Sequence, residues 1–402
     1  MDGYVLVDKA AEPGLILPPN TTVLPPMSIE SGADLAQLIR EHRITDVVDL
    51  SYLDTRECLR VCEELGVRSL CTSVEEWEEG STSTAPTDVA ISRMLPPNRP
   101  QLRQSHLIGS GANPGIVNAL MFAALAEFGE RVGVAPTPEA LDLHAALITE
   151  EDTTLERCSV DSAETFPMTW SPRHCLEELF ERRTLVARAG VAEGFGHRPA
   201  ERQYRARCGD TEIEGFLVPH EEVITLSHCF PSLEIGFIYR INPAARWALR
   251  MHPERKVAEW RTQRLWPPYT GELVGEDRLG VLLCSRRYGE LWMGLRTDVT
   301  AGLKLGTNAT LLQVAAGVLA GWNQLGTRAG IHFVEHLDWR AFMRVVYQVL
   351  GPPMVVHDTL APPRFMKDRL VDARSAERSR RLKSEVGREK APGSARVTAT
   401  RT

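Results

Sequence analysis

The stretch LIGSGANPGIVNALMFAAL, residues 107 to 125, limits the possible folds more than any other: an apolar strand end runs through a glycine turn straight into a helix. Parallel α/β sheets are built from that unit, and the turn after the first strand commonly cradles a pyrophosphate with the spacing G-x-G-x-x-G. Here Gly109, Gly111 and Gly115 are spaced G-x-G-x-x-x-G, and Pro114 lacks the backbone N–H that such a cradle would use. The turn fits an α/β fold but not a phosphate cradle.

The flanking sequence repeats the alternation. YVLVD (4 to 8) and TTVLPPMS read as extended, GADLAQLIREHR has helical spacing, TDVVDLS (45 to 51) reads as a buried strand, DTRECLRVCEELG as a helix and RSLCTSV as a strand. A polar, proline-bearing loop is expected from about Glu76 to Gln104. SHLIG resumes the sheet, a helix runs from Ile116 to Phe128, and LDLHAALI (141 to 148) is strand-like. Beyond it the strands lengthen: TLVARAGVAEG, RQYRARCGDTEIEGFLV, EVITLSH, LEIGFIYRI and GVLLCSRRYGELWMGLRTD suit an antiparallel sheet with one wet face. Two helices, ATLLQVAAGVLAGWNQLG and HLDWRAFMRVVYQVLG, and a strand, PPMVVHD, close the fold.

The expected class is therefore α/β: an N-terminally truncated doubly wound, Rossmann-like domain over 1–147 and an α+β domain with an antiparallel sheet, for substrate or dimerisation, over 148–305. C-terminal helices and a strand over 306–362 are expected to pack back on the first domain, followed by a disordered basic tail over 363–402. The truncation is read from Asp8. It stands where a doubly wound domain keeps the acid that bonds a ribose hydroxyl, about 20 residues after its glycine turn. On that register the absent first strand would be the middle of the sheet. Two buried strand edges would lose their partners, at about 1 kcal/mol or more for each orphaned polar group.

Composition narrows the function classes. No apolar run approaches the ~20 residues of a membrane span, and MDGYVLVDKAAEPG has neither the cationic start nor the apolar block of a signal peptide, so a cytoplasmic location and no membrane partner are expected. The eight cysteines include no C-x-x-C pair and read as reduced core thiols. Cys58 and Cys62 at i, i+4 would face one ion, but nothing near them completes a ligand set, so no metal is expected. The net charge is −7, with +7 from Arg364 onward, which leaves −14 on residues 1 to 363. An acidic body repels nucleic acid and favours small cations.

Eight stretches in order, DLSYLDT, TSVEEW, GANPGIVNAL, ITEEDT, MTWSPRHCLEE, LVPHEEVITL, NATLLQVAAGVLAG and LGPPMVVHD, make residues 4 to 362 resemble the homospermidine synthase family of the saccharopine-dehydrogenase-like group. The resemblance implies a homodimeric NAD enzyme. Such an enzyme oxidises the amine-bearing carbon of putrescine, loses ammonia, forms an imine with a second diamine and returns the hydride. It further implies that GANPG lies beside the nicotinamide and substrate with Asn113 as the polar reader, and that Asp8, Asp49 and Ser51 join it on the cofactor side. Glu75, Glu150, Trp170, Glu178, His220 and Glu222 are the implied catalytic residues. The chemistry agrees with those residue types. Each ammonium of a diamine needs an anionic partner once desolvated, proton transfer from nitrogen needs a base of tuned pKa, and a tryptophan face attracts a cation by about 0.5 to 2 kcal/mol. His220 and Glu222, at i, i+2 on a segment read as extended, would point the same way.

The sequence departs from the family in places. Where the family runs roughly WSVEGF, this chain has Trp170-Ser171-Pro172-Arg173-His174, so an acidic position becomes Arg173, which would repel an ammonium and suit a carboxylate. Asp49 stands where the family tends to have Asn, and Glu150 and Glu151 compete for one position. An amino acid substrate therefore stays open beside a putrescine-like diamine. So do a saccharopine- or carboxynorspermidine-dehydrogenase-like reductase and a catalytically dead paralogue acting as a binding subunit.

Overall fold

The computed structural model describes residues 3–9, 17–76, 86–94, 102–157, 163–267 and 270–371. Its first part is β1 (Tyr4–Leu6), β2 (Thr21–Val23), α1 (Gly32–His42), β3 (Asp46–Asp49), α2 (Thr55–Leu65), β4 (Arg68–Cys71), α3 (Thr87–Met94), β5 (Ser105–Ile108) and α4 (Ile116–Val132). Local chemistry sets the helix ends: Ser31 and Asp34 form a capping box on α1, Asp54 accepts from the first turn of α2, and left-handed Gly66 stops it. α3 lies inside the stretch expected to be a loop. Its Ala90, Ile91 and Met94 are buried, so helical spacing in a short segment outweighs the surrounding prolines.

Strands β3, β4 and β5 pair in parallel, and β18 (Gly330–Phe333) joins β5 from far along the chain, giving the order β18-β5-β4-β3. β1 and β2 pair in parallel with each other, and among the described residues the outer edge of β3 has no strand partner. The expectation that such edges are buried is corrected: Tyr4, Val23, Val48 and Leu50 are exposed, so water can satisfy the backbone there.

β6 (Leu143–Asp152) is buried along its whole length and is central to a nine-stranded sheet. It runs past the expected residue 148, and a boundary at 147 falls inside it. After it come β7 (Leu155–Glu156), β8 (Thr165–Met168), α5 (Pro172–Leu179), β9 (Thr184–Arg188), β10 (Val191–Phe195), β11 (Gln203–Cys208), β12 (Thr211–Val218), α6 (Glu221–Cys229) and β13 (Glu234–Arg240). Then follow α7 (Pro243–Met251), β14 (Arg261–Arg264), β15 (Leu273–Val274), β16 (Glu276–Ser285), β17 (Gly289–Asp298), α8 (Val299–Leu303), α9 (Ala309–Trp322), β18, α10 (Trp339–Leu350) and β19 (Met354–Asp358). The large sheet has the order β10-β9-β13-β6-β16-β17-β19, with β11 and β12 attached through β13. Only β6 and β13 in it run parallel among the described strands. One face, with Ile148, Phe237 and Val281, shares a core with α4, α6 and α10; the other buries Leu147, Ile238, Trp292 and Met366 beneath β11 and β12.

Two further expectations change. EVITLSH is helical as α6, not a strand: its apolar run is too short to separate the two periods, and Glu221 and Glu222 suit a helix's first turn. Residues 364 to 371, expected in the disordered tail, pack on the sheet. The Met366 N–H donates to Glu234 Oε1 at 2.6 Å, and buried Arg369 pairs with Glu290 at 2.5 Å. The rest of the basic tail lies outside the described residues, as does Cys158. Among the described residues no helix is long and apolar enough to cross a membrane.

Candidate active site

The period of two along β6 places Glu150 and Asp152 on one sheet face, with Tyr239 of β13 opposite Glu150 and Asp277 of β16 opposite Asp152. Glu151 points the other way and pairs with Arg240 at 3.0 Å, so the site-facing acid is Glu150. Over this face lies the turn after β5. Two of its N–H groups are satisfied internally: the Gly111 N–H donates to Pro114 O, and the Gly115 N–H donates to Asn118 Oδ1 at 2.9 Å. Those N–H groups are not available to a phosphate. Gly115 sits at φ +131°, where a Cβ would meet Gly111 O at 2.2 Å, so only glycine fits.

At the apex of the turn the Asn113 amide bridges two acids. One terminal atom is 3.3 Å from Glu150 Oε2 and the other 2.5 Å from Glu222 Oε1. The nitrogen belongs on the Glu222 side, where it has an acceptor, which leaves the Asn113 oxygen to accept from Glu150. That assignment needs a proton on Glu150. Burial, reinforced by Asp152, supplies it by pushing that carboxyl up to about 8.

Glu222 comes from the first turn of α6, whose N-cap is His220. The pair meets as expected, but by helix-cap geometry instead of strand alternation: His220 Nδ1 lies 2.5 Å from Glu222 Oε2 and 3.0 Å from Glu221 Oε2. On the far side of the ring, Nε2 is 3.7 Å from Glu178 Oε1. Burial works against a charged His220, but Glu222, Glu221 and Glu178 outweigh it and hold the imidazole's pKa well above its ordinary value. Glu178 is pushed up to about 8 by desolvation, with Glu221 adding to the rise. The side-chain atoms of His220, Glu221 and Glu222 lie within 4.8 Å of one another.

Helix α5 contributes a second acid–imidazole pair. Ser171 caps it, Pro172 opens it, and its His174 Nε2 lies 3.3 Å from Glu75 Oε2. Burial opposes the charge on His174, yet Glu75 and Glu178 raise its pKa. Arg173, one residue earlier, is exposed and bonds Glu177 at 2.9 Å along the helix. The Trp170 Nε1–H donates to Tyr239 OH at 3.2 Å, which fixes the indole beside the Glu150 face. Below, Asp152 accepts from Thr169, Thr169 meets Thr310, and Thr310 bonds Asp277. Desolvation raises both aspartates, Asp277 far above the usual carboxylate range.

The structure thus brings Asn113, Glu150, Trp170, Glu178, His220 and Glu222 together, with Glu75 joined through His174. Asp8 is exposed at the end of β1, and Asp49 with Ser51 forms a local turn at the end of β3, Asp49 Oδ1 accepting from the Ser51 N–H at 2.9 Å. Sequence reasoning missed Asp152, His174, Tyr239 and Asp277. The period of two in TEED would have found Asp152; the others depend on pairing between distant segments.

A parallel α/β unit of Rossmann-like topology, joined to an antiparallel-sheet domain with a buried acid–imidazole cluster where they meet, defines the class. The particular likeness is to a homospermidine synthase from Legionella pneumophila crystallised in complex with NAD: TM-score 0.76, 17% identity, 92% of each chain covered. A saccharopine dehydrogenase (L-Glu forming) from Saccharomyces cerevisiae matches more loosely, with TM-score 0.46, 9% identity, and 84% of this chain and 89% of that one covered. No protein-family model matches the sequence, and no curated protein matches it either. The first likeness establishes the fold that the sequence motifs imply.

Proposed function

We propose that this protein is an NAD-dependent enzyme that oxidises a primary amine, exchanges the resulting imine with a second amine and reduces it again, transferring an aminobutyl group between putrescine-like diamines. The observation that carries the reading is the unbroken run of contacts from Glu150 through Asn113, Glu222 and His220 to Glu178. The solved structure of similar fold is that of a homospermidine synthase in complex with NAD, which supports a reading of the same kind here.

NAD would accept the hydride from the amine-bearing carbon and give it back. The residues fit its nicotinamide-ribose end: Asp49, Ser51 and Asn113 follow the carboxyl ends of β3 and β5, where open α/β sheets bind ligands. Asp8 would serve the other ribose, while GANPG, whose Gly111 and Gly115 N–H groups are already bonded, is not proposed as the pyrophosphate cradle. The chain's own groups handle protons and charge. Glu150 and Glu178 carry protons near pH 7 and ionise as a substrate ammonium arrives. Glu222 and Glu221 keep His220 charged, so its Nε2 proton can pass to a departing amine and return. Trp170 offers a ring face to the amine, and a homodimer is part of the proposal.

Incubation with putrescine and NAD, followed by mass spectrometry, should yield homospermidine and ammonia with NAD regenerated. A protein that binds no NAD at millimolar concentration, or that consumes NAD without joining two amines, overturns the reading.

A further inference from the structure

Behind the Asn113 turn lies a buried polar node that none of the catalytic contacts uses. Asn118, in the first turn of α4, accepts the Gly115 N–H with Oδ1. Its Nδ2 donates to Glu335 Oε2 at 2.9 Å and approaches Thr225 Oγ1 at 3.5 Å. Asn118 is 2% exposed and Glu335 9%, so these groups have no water to fall back on. Glu335 belongs to the short turn after β18, and Thr225 to α6, three residues beyond Glu222 on the same helical face.

An amide side chain has a donor end and an acceptor end, and only one orientation of Asn118 is useful. Its oxygen must face the Gly115 N–H; reversed, it would set two donors against each other. The carboxyl of Glu335 fixes that choice by demanding the Asn118 nitrogen. Through one amide it thereby holds both the turn that carries Asn113 and the helix that carries Glu222. From the other side, α9 seats Gly317 so close that a Cβ would lie 1.9 Å from Gly111 O, so the base of the turn has no room to drift. Asn113 at the apex then depends on the Asn118 bond at its second foot.

We infer that Glu335 is a positioning residue: acting through Asn118, it sets the separation and orientation of Asn113 and Glu222 without touching a substrate. The inference rests on the proposed amine chemistry for its effect on turnover, but its geometric content stands apart from that reading.

The test compares Glu335→Gln, Glu335→Ala and Glu335→Leu with the parent protein, using two readouts. In NMR spectra the Asn113 side-chain amide signals and the His220 titration should move in the Ala and Leu variants and stay near the parent in Gln, whose side-chain oxygen still accepts from Asn118. With putrescine and NAD, kcat should fall by about 10- to 100-fold in Ala and Leu with KM within about threefold, as a misplacement of order 1 Å predicts. Gln should recover most of it. Leu fills the volume that Ala empties, so a variant lost to a packing void does not remove the test. Unmoved Asn113 and His220 signals in folded Ala or Leu variants overturn the inference, as does a Gln variant as impaired as Ala. If the parent turns over no amine, the functional reading fails, and the spectra alone still decide the role of Glu335.

Discussion

Replacing Glu222 by Gln tests the electrostatics of the cluster most directly. The change keeps the side chain's shape at a position that is wholly buried and removes one negative charge 2.5 Å from His220 Nδ1. A hydrogen bond to a charged group contributes about 1.5 to 3 kcal/mol, and 1.36 kcal/mol corresponds to one pKa unit, so the His220 pKa should fall by about one to two units. The fall is partial because Glu221 at 3.0 Å and Glu178 at 3.7 Å remain. Its direction is downward, since losing an anionic neighbour disfavours the imidazolium. Nitrogen-15 spectra of the imidazole, recorded through a pH titration of both proteins, measure the shift. Turnover should be abolished while the backbone spectrum stays dispersed. A His220 titration identical in the two proteins, or one displaced upward, would refute the assignment of Glu222 as its principal counter-ion.

Four other outcomes are expected. Glu150 and Glu178 titrate near 8 in the folded state, above the ordinary carboxyl value, so their contribution to stability is complete below about pH 4.5 and is lost as pH rises through 8, by up to about 1.4 kcal/mol per unit for each group; denaturant melts that show greater stability at pH 9 than at pH 6 would contradict it. Diamine binding at pH 7 should release protons from these carboxyls, seen by calorimetry in buffers of different ionisation enthalpy, and zero exchange would count against them as the ammonium ligands. Gly115→Ala should lose several kcal/mol or fail to fold, because the new Cβ meets Gly111 O at 2.2 Å; an unchanged Tm rejects the strained-turn account. Arg173→Glu should leave amine use within about twofold, as expected of a substitution on an exposed helix face, and a large gain for diamines would return Arg173 to the cleft.

Local patterns made much of the fold legible. The strand–turn–helix at 107–125, the caps Ser31 and Asp54, and the long alternating strands beyond residue 148 depend on neighbours a few positions away, and those are written in the chain. The same holds for the spacing and proline that set the GANPG turn apart from a phosphate cradle. Short segments with both periods, such as EVITLSH, were undetermined because their few apolar residues fit a helix or a strand, and packing on the sheet decided. The acids show the division most plainly. As letters, Glu150 and Glu151 are equivalent; register in the sheet sends one to the cluster and the other to Arg240. His174, Tyr239, Asp277 and Glu335 carry no local mark, since each gains its role from a partner brought by another segment. Burial then raises the Glu150 and Glu178 pKa values, and burial belongs to the packed assembly of segments and to no residue by itself.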